Sequence, residues 1–252
     1  MARLIVKNIS HCYDRTAAQA LDAVSFSVEQ GQRLCIAGAN GSGKSTLLHI
    51  IASCVKPSSG EISIENEGGA KGRAGIVFQE PDNQLFMPTV WEDVAFGIIK
   101  KGANPEEARE RALAALAEVD AAHLAERAPH NLSGGEKQRA ALAGALIMER
   151  DILLLDEPTA ALDPRARKNL INLLKNQRRT TIIASHDLDM ALELADRVIF
   201  LHQGRIAADC PVPGLLLDED FLQTIALELP LAVCGTFRKT HSKVRFSSAQ
   251  TP

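Results

Sequence analysis

The chain has 252 residues and is 46% hydrophobic, which is enough for a full core with a small second lobe. Its formal net charge is -3 with 23% charged residues, which excludes a nucleic-acid binder driven by bulk positive charge. No apolar run approaches the ~20 residues that span a bilayer. The segment Met1-Ala2-Arg3-Leu4-Ile5-Val6-Lys7 reads as a first strand, not a signal peptide, so a cytosolic chain is expected. Cys12, Cys35, Cys54, Cys210 and Cys234 form no C-x-x-C pair, and free thiols are expected rather than a disulfide framework or zinc site.

Leu4-Ile5-Val6, Val24 to Val28 and Glu61 to Ile64 are short β-type runs, predicted to form a small antiparallel sheet. Tyr13, the only tyrosine, falls among them. Its ring could stack on a base or pack on the sheet edge, and local sequence favours packing.

Arg33 to Ala37 is an apolar strand and Leu47 to Ile51 opens as a helix. Between them, Gly38-Ala39-Asn40-Gly41-Ser42-Gly43-Lys44-Ser45-Thr46 fits the phosphate-binding pattern G-x-x-x-x-G-K-[ST]. Strand, glycine loop and helix are the unit this motif requires. Glycines let the backbone wrap so that successive N–H groups point at one anion. The helix N-terminus adds free donors and a positive dipole end. Lys44 brings a mobile charge for the outer phosphates, and the Ser45 hydroxyl is placed for Mg²⁺.

Gly75 to Gln79 reads as a buried strand ending in a polar residue. The loop Glu80 to Pro88 follows, with exposed-looking Leu85, Phe86 and Met87. Thr89 is a cap for a helix over Val90 to Lys100, and Asn104 caps a second that opens on Pro105-Glu106-Glu107 and continues through Ala112 to Val119. Residues 88–132 therefore read as an inserted helical lobe. Ser133-Gly134-Gly135 begins another helix, reaching about Glu149, and makes a second anion site.

Asp151 to Pro158 is more specific: an apolar strand delivers Asp156 and Glu157 to its C-terminal end. Ligands gather at such ends in parallel α/β sheets. Asp156 suits Mg²⁺, and Glu157 suits an attacking water. Ala160 to Pro164 turns into a helix ending near Asn176. Thr180 to Ser185 is a further strand, ending in His186, a donor for a terminal phosphate. A helix over Leu188 to Ala195 and a strand over Arg197 to Leu201 complete the alternation, and Gly204-Arg205-Ile206 turns back. From residue 211 the pattern weakens, with one more helix expected over Leu215 to Leu229. Leu231 to Pro252 has no acidic residue and carries Arg238, Lys239, Lys243 and Arg245, which reads as a loose tail.

Taken together, these motifs resemble the ATP-binding cassette family of ATPases, over residues 3–210. The resemblance implies an α/β fold: a P-loop NTPase core with a mostly parallel sheet, a small antiparallel β subdomain and an inserted helical subdomain. The ATPase domain would be residues 1–210, with the helical subdomain about 88–132, and 211–252 an extension or tail. By the same resemblance, ATP is held by Tyr13 on its adenine and by Gly38, Asn40, Gly41, Ser42, Gly43, Lys44, Ser45 and Thr46 on its phosphates. Mg²⁺ falls to Ser45, Gln79 and Asp156, and catalysis to Glu157, His186, Gln79 and Lys44. Ser133, Gly134 and Gly135 match the signature loop, which faces the phosphate loop of a second cassette in a head-to-tail, homodimeric sandwich. Asp163 falls in the loop joining the two sites. Glu136 departs from the family, which usually has glutamine there, and the chain from Glu61 to Gln79 is shorter than in many relatives.

The run Val77 to Phe86, then Pro88-Thr89-Val90 and Glu92 to Gly97, is similar to the energy-coupling-factor transporters. Their ATPases work at the cytoplasmic face of the membrane. Their partners are a transmembrane coupling protein and a membrane substrate-binding protein, and the cargo is cobalt, nickel or a vitamin. No nucleic-acid partner is expected. A soluble cassette ATPase is the alternative. The 54 positions from Gln79 to Ser133 leave no room for the long heptad insertion of a coiled-coil DNA-repair type.

Overall fold

The computed structural model describes residues 2–14, 19–66, 70–160, 162–177 and 179–233. Three strands, β1 (Ala2–His11), β2 (Leu21–Val28) and β4 (Ser59–Asn66), form an antiparallel sheet in the order β2-β1-β4. The larger sheet also contains β3 (Arg33–Ala37), β5 (Ala74–Val77), β6 (Ile152–Asp156), β7 (Thr180–Ser185), β8 (Arg197–His202) and β9 (Arg205–Pro211). Its order is β5-β6-β7-β3-β8-β9, parallel throughout except for β9, which returns antiparallel along β8.

Side chains alternate along a strand, so each central strand feeds two cores. Ile152 and Leu154 of β6, Ile182 of β7 and Ile199 of β8 face the antiparallel sheet across helix α1 (Lys44–Ile51). Leu153, Leu155 and Ile183 face the other way. There they meet α2 (Val90–Ile99), α3 (Pro105–Glu118), α4 (Gly134–Ile147) and α5 (Pro164–Asn176). Cys35, Val198 and Phe200 form a third core with Leu188 of α6 (Leu188–Leu194) and with the C-terminal segment.

The expected helix starts hold. Thr89 and Glu92 make a capping box on α2, and Asn104 accepts from Glu106 N–H at the start of α3. Ser133 and Glu136 make a second capping box on α4. Glu136 Oε2 accepts from the Ser133 N–H and hydroxyl, both at 2.8 Å. These bonds, the backbone one foremost, hold its carboxyl below the ordinary range. The residue that departs from the family pattern therefore caps its own helix.

Two expectations are corrected. The run Gly75–Gln79 is not a buried strand: β5 stops at Val77, lies at the sheet edge and buries only that residue. Leu215–Leu229 is not one helix but a 3-10 turn, Gly214–Leu217, followed by α7 (Glu219–Thr224). Leu216, Leu222, Ile225 and Leu227 nevertheless bury themselves against β3 and β8. The basic residues beyond Leu231, and Cys234, lie outside the described residues; Cys35, Cys54 and Cys210 are free thiols.

Candidate functional site

Parallel pairing of β6 with β7 aligns Asp156 with Ala184, so Glu157 emerges beside Ser185 and His186. Pairing of β3 with β7 brings the glycine loop to the same sheet edge. One cleft of about 490 Å³ results. It is lined by Asn40, Gly41, Gly43, Lys44, Ser45 and Thr46 of the loop, and by Tyr13, Gln79, Glu157 and His186.

Gly38 and Ser42 support the loop from behind. The Gly38 carbonyl accepts from Lys44 Nζ at 2.8 Å, and the Ser42 carbonyl accepts from Gly204 N–H. The Ser42 hydroxyl is buried without a partner among the described residues. Gly43 has φ +106, and a Cβ there would meet the Ala20 carbonyl at 2.5 Å. Only glycine fits that step from loop to helix.

Lys44 and Glu157 are each 6% exposed and pair at 3.5 Å (Nζ to Oε1). The Lys44 ammonium also bonds the Ala39 carbonyl at 3.2 Å. His186 Nδ1 lies 3.0 Å from Glu157 Oε1, and the Ser185 hydroxyl donates to Oε2 at 3.0 Å. Glu157 has φ +45, an unusual value for a side-chain-bearing residue. Its N–H donates to the Ala184 carbonyl, which holds this strained corner in place.

The Ser45 hydroxyl donates to Asp156 Oδ1 at 3.1 Å. Burial pushes the Asp156 carboxyl up, and the Ser45 bond and the nearby cations only partly offset this. A hydroxyl and a carboxylate this close are hard oxygen donors suited to Mg²⁺, which takes few protein ligands and keeps several waters. No group of three or more His, Cys, Asp or Glu able to hold a metal ion occurs among the described residues. Behind the site, burial first and then the Glu157 charge push the Cys35 thiol up to about 12, so it stays protonated.

Tyr13 is 64% exposed. Its hydroxyl lies 3.0 Å from the Thr46 hydroxyl, and its ring meets the buried His11 ring edge to face at 4.7 Å. Local sequence favours a ring packed on the sheet edge; the ring does pack on His11 at the end of β1, and it also lines the cleft. Ser133, Gly134 and Gly135 are absent from the cleft lining and sit at the head of α4.

Sequence reasoning missed Ser185. It also missed the pairing behind it, where Arg167 Nε donates to Asp187 Oδ2 at 3.0 Å. A polar residue closing the apolar run Ile182-Ile183-Ala184, immediately before His186, was the available signal.

The ABC transporter family model matches residues 21–160. An ABC transporter ATP-binding protein of Geobacter sulfurreducens is 44% identical over 237 residues, covering 91% of this chain and 95% of that protein. The energy-coupling factor transporter ATP-binding protein EcfA of Carboxydothermus hydrogenoformans is 41% identical, covering 90% and 87%. Among solved structures, cbiO1 of Clostridium perfringens, part of the ABC transporter complex cbiONQ, superimposes with a TM-score of 0.75 at 34% identity, covering 94% and 98%. The dimeric cassette MJ0796 bound to ADP and Pi gives 0.76 at 31% identity, covering 84% and 99%. A phosphate loop facing two carboxylates, with these likenesses over nearly the whole length, assigns the chain to the ABC transporter family, as one of its ATPases.

Proposed function

We propose that the chain is the ATP-hydrolysing subunit of a membrane importer of the energy-coupling-factor type, taking up cobalt, nickel or a vitamin. The observation that carries the hydrolytic part is the Glu157 carboxylate, gripped on both oxygens at the edge of the cleft that Lys44 and Ser45 line. The importer part is supported by the likeness to EcfA and to the cbiO1 structure.

Phosphoryl transfer needs positioning and charge stabilisation more than covalent chemistry. Tyr13 presents its ring to adenine, and the backbone N–H groups of Asn40 to Thr46 wrap the phosphates. Lys44 exchanges its loop carbonyls for the outer phosphate oxygens. Glu157 orients and deprotonates the attacking water, and His186 donates to the γ-phosphate. Mg²⁺, held by Ser45 and Asp156 with Gln79 at hand, supplies charge neutralisation of the phosphates. Ser133, Gly134 and Gly135 complete the site of a second copy, which is why they stand outside the cleft of their own chain. Residues 1–210 form the ATPase domain, with a helical subdomain at about 88–132, and 211–252 are an extension.

No helix among the described residues is long and apolar enough to cross a membrane. On this reading the subunit acts at the cytoplasmic face through a transmembrane coupling protein and a membrane substrate-binding protein, which the likeness to EcfA supports. Purification of the tagged chain from membranes, followed by binding of Co²⁺, Ni²⁺ or vitamins to the recovered complex, tests this. Recovery without any membrane protein would sink the transport reading and leave the ATPase.

A further inference from the structure

The Glu157 carboxylate faces two different environments. Oε1 lies toward Lys44 and His186, which line the cleft. Oε2 lies toward Ser185, which does not line it and is fully buried. The Ser185 hydroxyl has a fixed direction, because it accepts from the Asp187 N–H at 3.0 Å while donating to Oε2 at 3.0 Å. Asp187 is itself held. Arg167 Nε donates to Oδ2 at 3.0 Å, and Met190 N–H donates to Oδ1 at 2.9 Å. Asp187 thus joins a half-buried arginine on α5, which its carboxylate holds, to the Glu157 carboxylate, which its backbone N–H reaches through the Ser185 hydroxyl. A buried network satisfied at every link fixes geometry more tightly than its single bonds.

We propose that Ser185 is a positioning residue that fixes the rotation of the Glu157 carboxylate, and that the Arg167–Asp187 pair holds the turn from which it does so. A carboxylate has about four acceptor sites and turns easily about its last torsion. With Oε2 tied to the sheet, Oε1 is left aimed at the cleft. The strained backbone at Glu157 sets where the side chain starts, and Ser185 sets how it ends. The proposal rests on the reading of Glu157 as the carboxylate that activates water, and its test separates the two.

Steady-state ATP hydrolysis, binding of a fluorescent ATP analogue and thermal unfolding are compared for wild type, Ser185→Ala, Ser185→Thr, Arg167→Met and Glu157→Gln. Loss of a hydrogen bond to a charged group lowers kcat about tenfold or more in Ser185→Ala. KM and analogue affinity stay within about twofold, because no group that touches nucleotide is removed. Ser185→Thr keeps the hydroxyl and restores at least half of kcat. Arg167→Met, at a half-buried site, lowers kcat with KM unchanged and answers the question from the far end if Ser185→Ala does not fold. Wild-type kcat in Ser185→Ala, or equal losses in the alanine and threonine variants, overturns the positioning role. Wild-type turnover in Glu157→Gln overturns the catalytic reading, and the positioning role with it.

Discussion

The Tyr13 hydroxyl lies 3.0 Å from the Thr46 hydroxyl, so the ring at the mouth of the cleft is tied to the first turn of the helix that begins at Lys44. The tyrosine thus contributes at both ends, with its face offered outward and its hydroxyl bound inward.

This predicts a graded series in equilibrium binding. Tyr13→Ala weakens ATP binding by about 1–3 kcal/mol, the range for losing a stacked base. Tyr13→Phe keeps the ring but loses the tie to Thr46, and weakens binding by roughly 0.5–1.5 kcal/mol. Titration calorimetry of the three proteins checks the order. A phenylalanine variant as weak as the alanine variant rules out stacking.

Glu157→Gln keeps the size of the side chain and one of the two acceptor oxygens that face Ser185 and His186, but removes the base. Turnover falls by about 10²–10⁴-fold while nucleotide affinity holds. In the proposed dimer, closure follows ATP binding and opening follows hydrolysis, so the variant accumulates as an ATP-bound dimer. Light scattering with and without Mg–ATP reads this directly. A variant that loses hydrolysis yet stays monomeric with ATP argues against a sandwich formed by the isolated subunit.

Phe86 is 64% exposed, stacked edge to face on Phe96 at 5.0 Å. Asp93 Oδ1 accepts from the N–H groups of Phe86 and Met87, which pins this loop to α2. An exposed aromatic ring on a fixed loop, seven residues after Gln79, suits a groove for a membrane partner. Phe86→Asp should leave ATPase activity of the purified chain within about twofold and abolish co-purification from membranes. Undiminished co-purification moves the docking surface elsewhere.

Asp187 supplies a pH signature. Burial pushes its carboxyl up, but bonds from Arg167 and Met190 outweigh this and hold it below the ordinary range. A folded-state value below the unfolded one, ~3.9, gives stability that is fully present above ~3.9 and lost as pH falls through the lowered value. Asp187→Asn should therefore cost about 1–3 kcal/mol at neutral pH and progressively less below ~4. Unfolding midpoints of both proteins from pH 3 to 7 test it; a constant gap across that range contradicts the assignment.

Local pattern carried most of the site. The glycine loop, the Asp156-Glu157 strand end and the helix caps are contiguous in sequence, so their geometry follows from short-range sterics and hydrogen bonding. What stayed hidden depends on register between distant strands. Ser185 reaches Glu157 across 28 positions because β6 and β7 pair in parallel, and nothing local states that. Likewise, Gly75-Ile76-Val77 reads as buried because its residues are apolar, whereas its place at the end of the strand order leaves it half covered. The weak pattern after residue 211 reflects short turns whose leucines are buried by the sheet rather than by one amphipathic face.

The Ser133 turn, capped by Glu136 and standing apart from the cleft, has a genetic consequence. In the proposed head-to-tail dimer, each complete site draws its phosphate loop and its Ser-Gly-Gly turn from different molecules. Lys44→Ala and Ser133→Arg should each be inactive alone. Mixed in equal amounts, they can pair so that the intact loop of one meets the intact turn of the other. Such hybrids carry one working site in two, and activity should reappear on mixing two dead proteins. A cassette that completed its site within one chain would show no such rescue.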